Sequence, residues 1–142
     1  MANIPRKILD FIQQNHVVSL ACAANDEVWA ASCFYVLDAE NARLIVLTKQ
    51  STQHGKMMLA NPHIAGTIAA QPEQLRDIEG VQFTATARLL TNGEREQAHS
   101  LYTARHPIAK LLPSEVWELR FIRLKHTENR MAFAQKTEWQ SE

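Results

Sequence analysis

The chain has 142 residues, with 15 lysine and arginine side chains against 15 aspartate and glutamate side chains, so its formal net charge is zero. The length favours one domain over residues 1–142, and 46% hydrophobic with 21% charged residues is typical of a folded protein. The neutral balance argues against nucleic acid or an anionic membrane as partner, and the four scattered glycines exclude Gly-rich nucleotide-binding loops.

A short helix followed by three strands is predicted for the first third of the chain. Apolar residues recur at helical spacing over 4–14. The runs 16–24, 28–37 and 43–48 are rich in β-branched and aromatic residues, and short turn clusters separate them. These three runs are therefore expected to form an antiparallel meander.

A second helix and a fourth strand follow the meander. Ser51 or Thr52 can cap the start of the helix, and an Asn-Pro pair ends it. The apolar run 63–70 predicts a strand. The polar residues 71–79 predict a loop or a short helical turn.

One strand, one helix and two closing strands are predicted for the rest of the chain. Apolar and polar residues alternate over 81–90, which indicates a strand buried on one face. Residues 94–106 have helical spacing, and the runs 115–125 and 130–136 are predicted strands with a polar turn between them. Because strands dominate, the expected fold is mainly β: an antiparallel, Greek-key-like barrel of six to seven strands with short helices packed outside.

The two cysteines and the absence of membrane or export signals indicate a cytoplasmic protein. Cys22 and Cys33 lie in apolar runs and form no C-x-x-C pair, so buried free thiols are expected, with a disulfide between neighbouring strands as the alternative. The N-terminus lacks the basic start and apolar core of a signal peptide. The longest uncharged stretches are too short and too polar for a transmembrane helix.

Motifs for hydrolysis or for a metal centre are missing from the sequence. It contains neither G-x-S-x-G nor H-E-x-x-H, and none of its six histidines has another three or four residues away. A metal site assembled from separate strands is left open, although no local pattern predicts one. Asp77 and Glu79 share strand-type spacing in a polar segment, where a solvated face is a simpler interpretation than acid–base catalysis.

The strongest local candidate for chemistry is a phosphate site that begins at the end of the third strand. Thr48 ends that strand, Ser51 and Thr52 offer hydroxyl groups, and Lys56 lies about one turn into the following helix. Backbone N–H groups at a helix start carry partial positive charge, so hydroxyls and an ammonium group there can hold a phosphate. The alternative is that the hydroxyls only cap the helix and Lys56 is a solvated surface residue.

The order of these elements resembles the FMN-binding split-barrel superfamily, typified by pyridoxamine 5′-phosphate oxidase. The resemblance rests on the apolar hairpin, the strand from Leu44 to Thr48, and the segment from Ser51 through Lys56 to the Asn-Pro pair. Within that superfamily the chain is most similar to the small YhbP-type bacterial family, whose closing hairpin residues 116–139 resemble.

The resemblance implies a split-barrel homodimer with FMN in a groove between the two subunits. Thr48, Ser51, Thr52 and Lys56 would then hold the ribityl phosphate. Such a protein would be an FMN-dependent oxidoreductase acting on a small molecule, and the cofactor would carry the hydride chemistry.

Two departures from the superfamily pattern concern positive charge. The strand 28–37 lacks the arginine that many flavin-using members carry, and Arg43 begins the next strand. The serine-to-lysine spacing is also stretched. Arg123 and Lys125 are expected to share a strand face with Trp117 and Phe121. Two interpretations of this basic pair are left open: a basic edge strand that discourages pairing, and a source of the missing charge, supplied from the partner subunit.

Two other functions are left open by the sequence. One is a non-enzymatic or regulatory dimer that has lost tight flavin binding. The other is a haem-handling split barrel, with His63, His106 or His126 as axial ligand. Four aromatic residues are candidates either for a ligand groove or for the core: Trp29, Phe34, Tyr35 and Trp117.

Overall fold

A computed structural model describes residues 3–129 and 134–142 of the chain. Within these residues the strands are β1 (Val17–Ala24), β2 (Glu27–Asp38), β3 (Arg43–Leu47), β4 (His63–Ala69), β5 (Glu79–Leu89), β6 (Val116–Glu128) and β7 (Gln135–Gln140). The α-helices are α1 (Arg6–Gln14), α2 (Gln53–Ala60) and α3 (Asn92–Arg105), and single 3-10 segments cover Leu75–Asp77 and Pro107–Leu111.

The strands form one antiparallel sheet that closes into a barrel. Their order is β3-β2-β1-β4-β5-β6-β7, and β3 also pairs with β6, which closes a ring of six strands. The long strand β6 changes partner along its length: its residues 116–120 pair with β3 and its residues 123–128 with β7. The predicted mainly β split barrel of six to seven strands is therefore confirmed, together with the opening meander.

The barrel interior and helix α1 share one apolar core. The alternation predicted for residues 81–90 is present, because Val81, Phe83, Ala85 and Ala87 are buried. Helix α1 packs Ile8, Phe11 and Ile12 against the same core. A second cluster lies outside the barrel, where α3 contributes Ala98 and Tyr102 over Val36 and Ile45. The helices thus cover apolar strand faces that water would otherwise contact.

The predicted closing hairpin is wrong in its details. Strand β6 runs to Glu128, through the residues predicted as a turn, and β7 spans 135–140; the part of the predicted strand at 130–133 lies outside the described residues. The polar residues after 125 mimic a turn, but His126 is fully buried and its Nε2 lies 2.8 Å from Glu79 Oε2 on β5. This cross-strand pair keeps a polar segment in the sheet.

A bulge in β6 overturns the expected shared face of its aromatic and basic residues. Thr84 pairs with Arg123 but Ala85 pairs with Phe121, so Ile122 is the extra residue. Phe121 consequently points into the core while Arg123 is exposed on the opposite face. The edge-strand alternative is also wrong, because β6 has β5 on one side and β3 and β7 on the other.

The buried carboxylate of Glu118 on β6 accepts hydrogen bonds from three arginines. The Glu118 side chain is 3% exposed and accepts from Arg43 at 2.9 Å, from Arg120 at 2.9 Å and from Arg88 at 3.1 Å. Asp38 accepts from Nε of the equally buried Arg43 at 2.8 Å. Burial acts to raise the pKa of Glu118, but the hydrogen bonds from the three guanidinium groups outweigh it and hold the pKa below its usual value.

Candidate functional site

The end of β3 is tied to the strand beside it in the barrel. Thr48 is 8% exposed, and its backbone N–H donates to the Glu115 carbonyl at 3.1 Å. Its own carbonyl accepts from Nε1 of the fully buried Trp117 at 3.1 Å. The first residue of the predicted phosphate site is therefore a fixed part of the barrel wall.

Thr52 caps helix α2, as predicted. Its Oγ1 accepts from the Gly55 N–H at 3.0 Å and donates to the Lys49 carbonyl at 2.7 Å. The turn is so tight that a Cβ atom on Gly55 would lie 2.4 Å from the Lys49 oxygen. Glycine is needed at 55 because the chain approaches itself this closely.

His54 joins the two threonines, and sequence reasoning missed this role. Its Nε2 lies 2.6 Å from Thr48 Oγ1 and 3.3 Å from Thr52 Oγ1. Burial lowers the pKa of His54 below its usual value. The only feature of the sequence that points to this role is the position of His54, two residues after the helix cap. A side chain there can turn back over the end of the preceding strand.

Ser51 and Lys56 differ from the two threonines in being exposed. Across residues 3–129 and 134–142, neither side chain has a hydrogen-bond or ion-pair partner. Lys56 is the fourth residue of α2, and its backbone N–H donates to the Thr52 carbonyl at 3.0 Å. The four predicted residues therefore lie together at one junction, with two hydroxyls engaged inside the protein and two side chains facing water.

The other basic residues considered for this site lie elsewhere. Arg43 is committed to the buried pairs with Asp38 and Glu118. Arg123 makes an exposed pair with Glu138 at 2.9 Å. With Lys125 it lines a shallow groove of about 240 Å³ on the outer face of the sheet.

No described helix or strand covers the centre of the outer face of β1, β2 and β4, where the side chains are exposed. Small and apolar side chains lie side by side across the three strands, because Ala21 pairs with both Ala30 and Ala65, and Ser19 pairs with both Ser32 and Thr67. All of these are exposed. Val28 and Phe34 extend this surface with exposures of 81% and 52%. We call it the outer sheet face.

The four aromatic candidates divide into core and surface. Tyr35 and Trp117 are core residues, 0% and 1% exposed. Trp29 and Phe34 are each 52% exposed. The Phe34 ring lies between those of His16 and His106, at centroid distances of 5.3 and 5.6 Å.

The three histidines considered as haem ligands have different surroundings. His126 is fully buried beside Glu79, and His106 Nε2 lies 3.0 Å from the Tyr35 carbonyl oxygen. His63 is exposed and borders a groove of about 380 Å³ on the outer sheet face. The solvated interpretation holds for Asp77 but is wrong for Glu79, which pairs with His126.

Both cysteines are free, Cys22 is buried, and burial raises the pKa of the partly buried Cys33 to about 11. No group of three or more side chains suited to a metal ion occurs in the described part of the chain. Among the same residues, no helix has the length and apolar character needed to cross a membrane.

Comparison with known proteins identifies the family. The family model described as pyridoxamine 5′-phosphate oxidase matches residues 4–128. A UPF0306 protein of Haemophilus ducreyi is 49% identical over 142 residues, which cover 99% of this chain and 97% of the relative.

Solved structures share the fold at low sequence identity. A haem-binding protein from Mycobacterium smegmatis is 17% identical with a TM-score of 0.77, over 92% of this chain and 55% of its own, so this chain corresponds to about half of it. A FAD-binding protein from Mesorhizobium loti is 15% identical with a TM-score of 0.71, over 84% of this chain and 89% of its own. By the family match and the close relative, this chain belongs to the pyridoxamine 5′-phosphate oxidase family and, within it, to the UPF0306 proteins.

Proposed function

We propose that this chain is an FMN-binding, homodimeric oxidoreductase acting on a small molecule. The observation that carries the proposal is the pair Ser51 and Lys56, which face water at the start of α2 with no partner among the described residues. A hydroxyl donor and an ammonium group beside the free N–H groups of a helix start suit a phosphate ester. The family match supports a flavin as the bearer of that phosphate.

The four predicted residues would have two different roles in binding. Ser51 and Lys56 would contact the phosphate directly, while Thr48 and Thr52 shape the turn through their hydrogen bonds to His54 and Gly55. Bound FMN would supply the hydride-transfer chemistry, and the protein would bind it, orient it and exclude water.

Removal of the Lys56 charge tests the phosphate contact. We expect Lys56→Ala to weaken FMN binding about 10- to 100-fold, the range of one lost charge-assisted hydrogen bond. The measurement is a fluorescence titration of FMN, with riboflavin as the ligand that lacks a phosphate. Lys49→Ala, which removes an exposed lysine of the preceding turn, is the control and should have a smaller effect. Equal FMN affinity in wild type and Lys56→Ala would contradict the proposed contact.

The outer sheet face supports the dimer. Its exposed valine, phenylalanine and alanine side chains form an apolar surface of the kind that marks an interaction site, and a twofold axis would place this surface against its own copy. Arg123 and Lys125 lie on the same side of the sheet, which suits a contribution to the partner's phosphate site.

A charge at the centre of this face should separate the subunits. Ala21 lies between Ala30 and Ala65, so we expect Ala21→Glu to convert the dimer into a monomer by burying an unpaired carboxylate. Sedimentation velocity at micromolar concentration measures the outcome. Ala39→Glu, in the exposed turn after β2, is the control and should remain dimeric. A wild-type chain that sediments as a monomer would count against the dimer itself.

A haem-handling function is the second candidate, and His63 favours it. This exposed imidazole borders an apolar groove lined by Ala21, Val28 and Ala65, which suits an axial ligand beside a flat apolar ring. The visible spectrum of the purified protein, before and after titration with FMN and haem, separates the candidates. Flavin bands support the first proposal and an intense Soret band the second. A protein that binds neither would favour the regulatory dimer.

The expected compartment is the cytoplasm. Cys22 and Cys33 are both free, which suits a reducing environment.

A further inference from the structure

We propose that His54 is the titratable second cation of the phosphate site, and that docking of a phosphate dianion is coupled to uptake of one proton from solvent at its Nδ1. The inference rests on the proposed function, because it assumes that a phosphate binds at the start of α2. The His54 ring then sets both the affinity for the phosphate and the pH dependence of that affinity.

The hydrogen bonds around Thr52 determine which nitrogen of His54 carries the proton. The Thr52 hydroxyl hydrogen goes to the Lys49 carbonyl, 2.7 Å away, so Thr52 Oγ1 can only accept from its other neighbours. His54 Nε2 lies 3.3 Å from that oxygen and 2.6 Å from Thr48 Oγ1. The contact with Thr52 is then a hydrogen bond only when Nε2 carries the ring hydrogen, and on that basis we assign this tautomer to the neutral ring.

The second ring nitrogen is open to solvent. Within residues 3–129 and 134–142, the buried side-chain nitrogens without a partner are Arg105 Nη1 and His126 Nδ1. His54 Nδ1 has no hydrogen-bond partner among the same residues and is not one of these buried atoms, so it is at least partly exposed to solvent. A proton can consequently be added at Nδ1 without breaking either contact at Nε2.

No carboxylate among residues 3–129 and 134–142 makes a hydrogen bond or ion pair with the His54 ring. From β2, Cys33 hydrogen-bonds to Thr48, and burial keeps that thiol protonated. Before β6, the Glu115 carboxylate accepts from the Gln50 N–H at 3.0 Å rather than from the ring. Lys49 and Lys56 are exposed on either side of His54 in the chain.

These contacts determine the sign of the pH effect. Without ligand, burial lowers the pKa of His54, so the ring is neutral near pH 7. A dianion bound beside Nδ1, as the proposal requires, would favour the charged ring and raise the pKa of His54 in the complex. The affinity for the phosphate must then increase as the pH falls from the pKa of His54 in the complex to its lower pKa in the free protein.

The first test measures FMN affinity against pH in matched variants. Between about pH 8 and about pH 6, wild type should gain about tenfold more affinity than His54→Gln, whose amide can still donate to both threonines but cannot titrate. His54→Lys, with a permanent charge, should bind tightly with little pH dependence. Comparing variants cancels the second ionisation of the phosphate itself. Equal pH slopes in wild type and His54→Gln would overturn the inference while leaving FMN binding intact.

The second test does not depend on flavin. The ring C–H resonance of His54, assigned through the His54→Gln variant, is followed by NMR against pH with and without saturating inorganic phosphate. We expect phosphate to raise the pKa of His54, whereas the half-buried His99 on α3, which lies outside the proposed site, serves as the control and should not respond. An unchanged His54 pKa would overturn the inference. A raised pKa in a protein that fails to bind FMN would instead retain the inference and contradict the proposed cofactor.

Discussion

Replacing Glu118 with glutamine is expected to lower the free energy of unfolding by about 3–5 kcal/mol, the range for breaking a buried ion pair from one side. The carboxylate is 3% exposed and joins Arg43, Arg88 and Arg120. Arg43 is affected most, because it is itself buried and would retain only Asp38 as an anionic partner. Chemical denaturation measures the change, and a loss below about 1 kcal/mol would show that the network is only a surface feature.

The same carboxylate should make stability depend on acid. Because its folded pKa lies below the unfolded value, Glu118 contributes stability above the unfolded pKa and loses that contribution as the pH falls through the folded pKa. Wild type should therefore lose stability below about pH 4, and Glu118→Gln should lose less over that interval. Glu94→Gln, which removes an exposed partner of Arg88, is the control for the whole network and should change stability far less.

Replacing Trp117 with alanine should cost about 3–5 kcal/mol of unfolding free energy, as for other buried aromatic residues. The indole is 1% exposed, and its Nε1 also donates to the Thr48 carbonyl at 3.1 Å. We therefore expect FMN affinity to fall as well, because the strand end that begins the proposed phosphate site loses its hydrogen bond to the indole.

A conservative variant separates these two effects. Trp117→Phe keeps most of the apolar volume but leaves the Thr48 carbonyl without its donor, at a cost of about 1–3 kcal/mol. If Trp117→Phe retains most of the stability yet loses FMN affinity, the hydrogen bond supports the site. Wild-type FMN affinity in a stably folded Trp117→Phe protein would contradict this link between core and site.

Local sequence patterns predict most strands of the barrel. They do not predict which residues pair across neighbouring strands. The alternation over 81–90 and the cap at Thr52 depend on neighbours in the chain, and both are present. The predicted position of the closing hairpin is wrong because the cross-strand pair of His126 with Glu79 keeps polar residues in β6. The bulge at Ile122 likewise becomes visible only through the pairing with β5.

The candidate site was predicted as a segment but not as a set of contacts. Thr48, Ser51, Thr52 and Lys56 do lie at one junction, as their spacing indicates. The role of His54 could not be predicted, since it depends on the helix turning that ring back onto Thr48. In the sequence, Arg43 is a candidate source of positive charge for the phosphate site. In the folded barrel it is buried against Glu118.

The central claim is that two copies of this chain bind FMN together. Sedimentation velocity of the protein mixed with FMN, followed at a visible wavelength absorbed only by the flavin, tests it most directly. We expect the flavin to sediment with a species of twice the chain's mass, and we expect this boundary to be lost in Ala21→Glu and weakened in Lys56→Ala. Flavin that remains free while the protein sediments alone, as monomer or as dimer, would contradict the proposed FMN-binding dimer.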